Sequence, residues 1–106
     1  MLERVYQALL IDKLSLMFEG CLILKNDTSY IQGIPDLLIL YKDKWAALEV
    51  KKSAKAPEQP NQEYWINELD HMSYAAFIYP ENESEILDEL RKAFRTRRSS
   101  RLLVSK

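Results

Sequence analysis

The apolar periodicities along the chain predict an α/β (α+β) fold, a mixed central sheet flanked by helices. Three observations carry that expectation. Apolar residues recur at helical spacing near both ends and once in the middle; short apolar runs bounded by turn residues lie between them; and two of those runs, around Leu37–Tyr41 and Ala46–Leu48, are nearly continuous, the pattern of strands covered on both faces. The predicted order is helix, strand, strand, strand, helix, strand, helix. At 106 residues the chain makes one domain, because single cores occupy roughly 50–200 residues. Residues 1–98 are assigned to it, and residues 99–106 to a basic tail or a short strand.

Val5, Leu9, Leu10, Leu14 and Met17 place the first helix from residue 2 or 3 to about 18, with Gly20 as its stop. Residues 21–24 read as a short strand, and Asn26, Asp27, Thr28 and Ser29 as a loop. Gly33-Ile34-Pro35 leads into a strand over 36–41. A second strand over 45–51 pairs with it as a hairpin. Residues 52–58 form a loop before a helix over about 60–72, opened by Pro60, whose missing N–H costs nothing in a first turn. A fourth strand spans 75–79. A last helix runs from 83 to about 95, with Asn82 as its cap, acids in its first turn, and Ile86, Leu87, Leu90 and Phe94 on one face.

Composition narrows the chemistry. Residues of the AVILMFWYC set make up 47% and charged residues 29%, as in ordinary globular chains, and no apolar run approaches the roughly 20 residues of a membrane span. No leader with a cleavage site follows Met1, so a cytoplasmic location is expected, without membrane partners. Cys21 and His71 are the only residues of their types, which leaves no disulfide or cysteine zinc cluster and little material for a Ser/His/Asp triad. Carboxylates and lysines must carry any chemistry. Residues 91–106 hold seven bases and no acid, whereas residues 1–90 hold eight bases and all sixteen acids. Such a basic end suits an anionic partner, phosphate backbone above all, or simply favours the negative end of a helix dipole.

Asp36 and Glu49 fall on consecutive strands, and Lys51 follows Glu49 by two, so Glu49 and Lys51 share a face. A hairpin loop centred between Lys42 and Asp43 sets Asp36 directly opposite Glu49, with Cβ atoms about 4.5–5.5 Å apart. Two carboxylates plus a main-chain carbonyl such as that of Val50 suit Mg²⁺ or Mn²⁺, which keep waters in their remaining positions. Lys51 could then hold or help deprotonate one of those waters. The plainer reading is a surface salt bridge worth about 0–1 kcal/mol. Charged groups at the ends of strands buried on both faces argue against it, because they are costly unless paired or bound to metal.

Gly33-Ile34-Pro35-Asp36, then Leu48-Glu49-Val50-Lys51, then Gln62 with Trp65 three residues on, resemble the PD-(D/E)XK nuclease superfamily. More narrowly, the set is similar to small stand-alone VRR-NUC domains of the phage type, whose pattern is G-x-P-D, E-x-K and Q-x-x-W. The resemblance implies a restriction-endonuclease-like αβββαβ core and a Mg²⁺- or Mn²⁺-dependent endodeoxyribonuclease with no small-molecule cofactor. Asp36 and Glu49 would hold the metal, with the Val50 carbonyl; Lys51 would be the catalytic lysine; and Gln62 would orient the lysine or a phosphate. An acid from the first helix would join them, Glu3 fitting that place best and Glu19 next. Lys25, Lys52 and Lys55 would meet DNA backbone, as would Arg95, Arg97 and Arg98 of the basic end.

The expected substrate is double-stranded or branched DNA, four-way junctions included, cut by a homodimer, since a core this small covers only a short stretch of duplex. A sequence-specific nicking or homing endonuclease, and a non-catalytic DNA-binding module on the same fold, are the alternatives. An interaction protein whose basic tail binds an acidic partner is a third. Trp45, Tyr64, Trp65 and Tyr74 read as core aromatics, His71 as no ligand, and Cys21 as a small buried residue.

Overall fold

A computed structural model describes residues 1–95. The last residues of the assigned domain and the 99–106 tail, with Arg97, Arg98 and the alternative strand at 101–106, lie outside the described residues. Among those described the elements are α1 (Glu3–Met17), β1 (Leu22–Lys25), β2 (Leu37–Tyr41), β3 (Lys44–Val50), α2 (Gln62–Met72), β4 (Tyr74–Ile78) and α3 (Glu83–Arg95). The result is an α+β fold whose mixed sheet has the order β1-β2-β3-β4, antiparallel except for the parallel pair β3–β4. Parallel strands need a crossover, and α2 supplies it.

The β2–β3 hairpin turns on two residues, Lys42 and Asp43, between the pair Tyr41 and Lys44. Lys42 has φ 57°, the positive value that the first central residue of a primed hairpin turn requires. This turn sets the pleat. Leu37, Ile39, Leu48 and Val50 point to one face, where Tyr6, Leu10 and Leu14 of α1 and Leu90 and Phe94 of α3 complete the main core. Phe18, Tyr41 and Phe94 pack there with ring centroids 5.0–5.4 Å apart. On the opposite face α2 lays Ile66 against Ala47 and Ala75, and the alanines allow its close approach. That helix packs chiefly on β3 and β4, and Leu22 and Leu24 of β1 remain exposed among the described residues.

Three local expectations change. The middle helix begins at Gln62, and Pro60 lies before it: Asn61 takes φ 70° at the N-cap, so the chain enters α2 from a left-handed turn. Asn82 does accept the first bond of α3 at its carbonyl, from Ile86 N–H at 3.0 Å. Its side chain, however, turns back, accepting from Tyr79 N–H at 2.9 Å and donating to the Phe77 carbonyl at 3.1 Å. Tyr64 is exposed on α2, edge-on to the half-buried Trp65, because the α2 core stripe passes through Gln62, Ile66 and Leu69.

Gly33 has φ +88°, and a Cβ there would come within 2.6 Å of the Asn61 carbonyl carbon and 2.7 Å of the Pro60 oxygen. The loop entering β2 thus lies directly against the start of α2. Gly20 has the same φ with nothing within 4 Å of an added Cβ. Both Gly→Ala changes place a side chain on left-handed backbone, at about 1–2 kcal/mol, and only Gly33→Ala adds a main-chain clash. In thermal melts, at about 4–8 °C per kcal/mol, Gly20→Ala should lose roughly 4–16 °C and Gly33→Ala clearly more; equal losses would show that the Gly33 contact is dispensable.

Candidate active site at the carboxyl end of β3

The β2–β3 register, continued one residue past Leu37 and Leu48, sets Asp36 opposite Glu49. At this point β2 stops pairing through its main chain toward β3, and the Asp36 side chain takes over: its Oδ2 accepts the Val50 N–H at 3.1 Å. On its other side Asp36 stays in register with the first strand, its carbonyl accepting the Asn26 N–H at 2.8 Å, while the Asn26 side chain donates to the Pro35 carbonyl at 2.8 Å. Asp36 is therefore held from both sides, by its main chain toward Asn26 and by its side chain toward Val50. In an extended strand the C=O and N–H of one residue point the same way, so the Val50 carbonyl is directed to the Asp36 side.

Glu49 and Lys51 emerge on the α2 face and are buried, 2% and 6% exposed, as is Gln62 at 8%. Gln62 connects them. Its Nε2 donates to Glu49 Oε2 at 2.9 Å, and its Oε1 accepts from Lys51 Nζ at 2.7 Å and from the Gln59 N–H at 2.8 Å. With a carboxylate on one side and two donors on the other, the amide has a single satisfactory orientation. Lys51 Nζ also donates to the Pro57 carbonyl at 3.1 Å and stands 3.9 Å from Glu49 Oε2. Its own N–H donates to Ile78 O at 2.9 Å, which ties the end of β3 to β4.

One acceptor is left over. Glu49 Oε1 is buried without a hydrogen-bond partner among the described residues. Burial, and then the negative charge of Asp36, push the Glu49 carboxyl up to about 8, against the lowering influence of Lys51. The orphaned oxygen and the raised carboxyl have one physical cause: Glu49 is buried facing a second carboxylate, and the Lys51 ammonium beside it donates to Gln62 and Pro57.

These groups line a cleft of about 390 Å³ walled also by Glu3, Gly33, Lys52 and Gln59. No protein-family model, curated protein or solved structure matches this chain. Its functional reading rests on the geometry of this cleft.

The structure brings Asp36, Glu49, Lys51 and Gln62 together, with Lys52 and Glu3 in the cleft wall. Glu19 lies at the other end of α1, exposed and outside the cleft. Glu3 does not complete a ligand cluster, since among the described residues no three His, Cys, Asp or Glu side chains are placed to hold one ion. Lys25 and Lys55 are exposed and do not line the cleft. Arg95 lines a groove with Tyr41, Lys42, Lys44 and Arg91 at the turn end of the hairpin. Glu49 is five residue steps along β3 from Lys44, about 17 Å at a strand rise of 3.2–3.4 Å, so Arg91 and Arg95 are remote from the carboxylates. His71 is exposed, its Nδ1 2.8 Å from the Asn67 carbonyl, and Cys21 is half-buried. Sequence reasoning missed the Pro57 carbonyl and the Gln59 N–H, which hold Lys51 and Gln62 through main-chain atoms that no side-chain motif records.

Because the folded protein raises the Glu49 pKa, it binds this proton more tightly than the unfolded chain does. Stability is therefore greatest below the ordinary carboxylate range, near 4.5, and declines as pH rises toward about 8. In metal-free buffer, denaturant melts from pH 5 to 8 should show this decline, at no more than about 1.4 kcal/mol per pH unit for one proton. In Glu49→Gln the dependence should largely vanish; an unchanged pH slope would assign it to another group.

Proposed function

We propose that this protein is a divalent-metal-dependent endodeoxyribonuclease with a restriction-endonuclease-like core, hydrolysing phosphodiester bonds in branched or junction DNA. The observation that carries this reading is the buried Glu49–Lys51–Gln62 cluster facing the half-buried Asp36, with one carboxylate oxygen, Glu49 Oε1, left without a partner among the described residues. A buried carboxylate oxygen of this kind costs free energy unless a proton or a cation meets it. The donor set fits a hard cation: Asp36, Glu49 and the carbonyl of Val50 offer oxygens alone, and Mg²⁺ commonly takes one or two carboxylates and keeps waters elsewhere. When bound, such a cation supplies Lewis-acid stabilisation of a phosphodiester and makes water a better nucleophile at neutral pH.

The chain's own residues do the rest. Gln62 fixes the Glu49 carboxylate in one orientation and holds Lys51 beside it. Lys51 keeps a positive charge at the cleft wall, where it offsets negative charge building on a phosphate and orients the attacking water. Its ammonium group donates to the Gln62 and Pro57 carbonyl oxygens and faces Glu49, which fixes its place in the cleft wall. Lys52, also in the cleft wall, is placed for a backbone phosphate, a contact that positions DNA without reading its sequence. No described segment stands apart from the core as a base-reading element, which favours selection by DNA shape.

The test is cleavage of labelled linear duplex, nicked, flap and four-way-junction DNA with Mg²⁺ or Mn²⁺. Wild-type cutting should stop with a chelator and fall by about 10²–10³-fold or more in Glu49→Gln and in Lys51→Ala, with branched substrates preferred. Tight, salt-sensitive binding without cutting under either metal would refute the nuclease and leave a DNA-binding module.

A further inference from the structure

Two loops of different chemistry line the cleft. Residues 51–59, after β3, hold three lysines and one acid and bring Lys51 and Lys52 to its wall. Residues 26–35, between β1 and β2, bring Thr28, Gln32, Gly33 and Ile34, and contain no lysine or arginine; Lys25, just before them, does not line the cleft. Their one charged residue is Asp27, whose carboxyl is held below the usual carboxylate range by the Ser29 hydroxyl. A DNA strand crossing the carboxylates therefore finds cations for its phosphates on the 51–59 side, while on the 26–35 side a negative charge repels them. What the second loop offers a nucleotide is an aromatic ring.

Tyr30 is 84% exposed in that loop. Thr28 and Gln32 of the cleft wall lie two residues to either side, so its Cα is within about 7 Å of each of theirs. The frame that carries it is closed at both ends. At the base the Asn26 N–H donates to the Asp36 carbonyl and the Asn26 side chain to the Pro35 carbonyl, each at 2.8 Å. At the tip Asp27 accepts the Ser29 N–H at 3.0 Å through Oδ1 and the Tyr30 N–H at 3.1 Å through its carbonyl, and the Ile34 N–H donates to the Ile31 carbonyl at 3.3 Å. The bonds that hold Asp36 thus also set the distance from Asp36 to Tyr30, and a ring on a compact loop with joined ends binds at a small cost in ordering.

We propose that Tyr30 is a stacking platform for an unpaired base beside the scissile phosphate, so that the cleft takes DNA with at least one unstacked nucleotide next to the cut. This platform rests on the nuclease reading and states what its substrate must present. Inside a duplex both faces of a base are covered by its neighbours, and a ring on a surface loop meets no free face. At a flap or a junction the branch nucleotide exposes one, and an aromatic side chain takes its place in the stack. Such stacking accepts every base, since each has a π face, so it selects by the shape of the DNA and leaves its sequence unread. The phosphates of the same strand then lie toward Lys52, on the other loop.

Binding of the full chain to two DNAs tests it: a flap duplex whose first unpaired base is the fluorescent analogue 2-aminopurine, and a fully paired duplex with the same analogue. Binding is read in Ca²⁺, a hard cation with the same preference for oxygen, and cleavage in Mg²⁺. Wild type should quench the flap base on binding. Tyr30→Ala should abolish the quench and weaken flap binding by about 5–150-fold, the usual worth of one base on one ring, and leave binding to the paired duplex unchanged. Tyr30→Phe should restore both, and Tyr64→Ala, an exposed tyrosine outside the cleft, should behave as wild type. Unchanged flap binding in Tyr30→Ala, an equal loss on paired duplex, or no rescue by Tyr30→Phe would each overturn the platform, even where wild-type cutting upholds the nuclease. A quench that depends on Tyr30 without any cutting by wild type would uphold the platform and overturn the nuclease, and a wild type that binds neither DNA would overturn both.

Discussion

The register of the β2–β3 hairpin is the constraint on which the rest of the molecule depends. A slip of one residue would turn every side chain of a strand to the opposite face. Here it would send either Leu37 and Ile39 or Leu48 and Val50 out of the main core and separate Asp36 from Glu49. The two-residue turn at Lys42 and Asp43 holds the register at one end. At the other, the Asp36 carboxylate accepts the Val50 N–H and completes the ladder where the main chain turns away. One device thus sets both the packing of the core and the meeting of the two carboxylates.

The polar group at the end of β3 then demands a specific enclosure. Glu49, Lys51 and Gln62 are withdrawn from water, and breaking a buried, paired charge commonly costs about 3–5 kcal/mol. Gln62 meets this demand by facing a carboxylate with its amide and a lysine with its carbonyl. It can do so because α2 begins late, after a left-handed Asn61 packed against Gly33. The geometry leaves one oxygen of Glu49 unserved. That residual imbalance is relieved by a proton or by the cation proposed above, and it separates this cluster from the paired surface acids and lysines that occur widely without function.

Much of this arrangement could be read from residue order. Among the described residues, apolar runs placed six of the elements to within a residue or two, and Pro60 placed the middle helix, because hydrophobic period tracks burial and burial tracks the face of a helix or strand. The hairpin and the shared face of Glu49 and Lys51 followed from strand alternation alone. The start of α2 did not, because Pro60 satisfies a first helical turn as well as it does a preceding loop, and the choice was made by its contact with Gly33. Asn82 misled in a similar way: its position is that of a cap, but carbonyl and N–H groups at the end of β4 compete for its side chain. Tyr64 reads as core by type, yet the stripe of α2 runs elsewhere.

By residue type and spacing alone, the chain fixes its α+β class, the pairing of Asp36 with Glu49 and the presence of Lys51 beside them, all consequences of local period and of a short turn. The tertiary structure decided which first-helix acid reaches the cleft, that the basic residues of α3 stand at the far end of the sheet, and that a proline carbonyl and a glutamine N–H hold Lys51 and Gln62. Those facts depend on contacts between segments far apart in the chain, made through main-chain atoms common to every residue. Their positions are set by packing, and no side-chain pattern announces them.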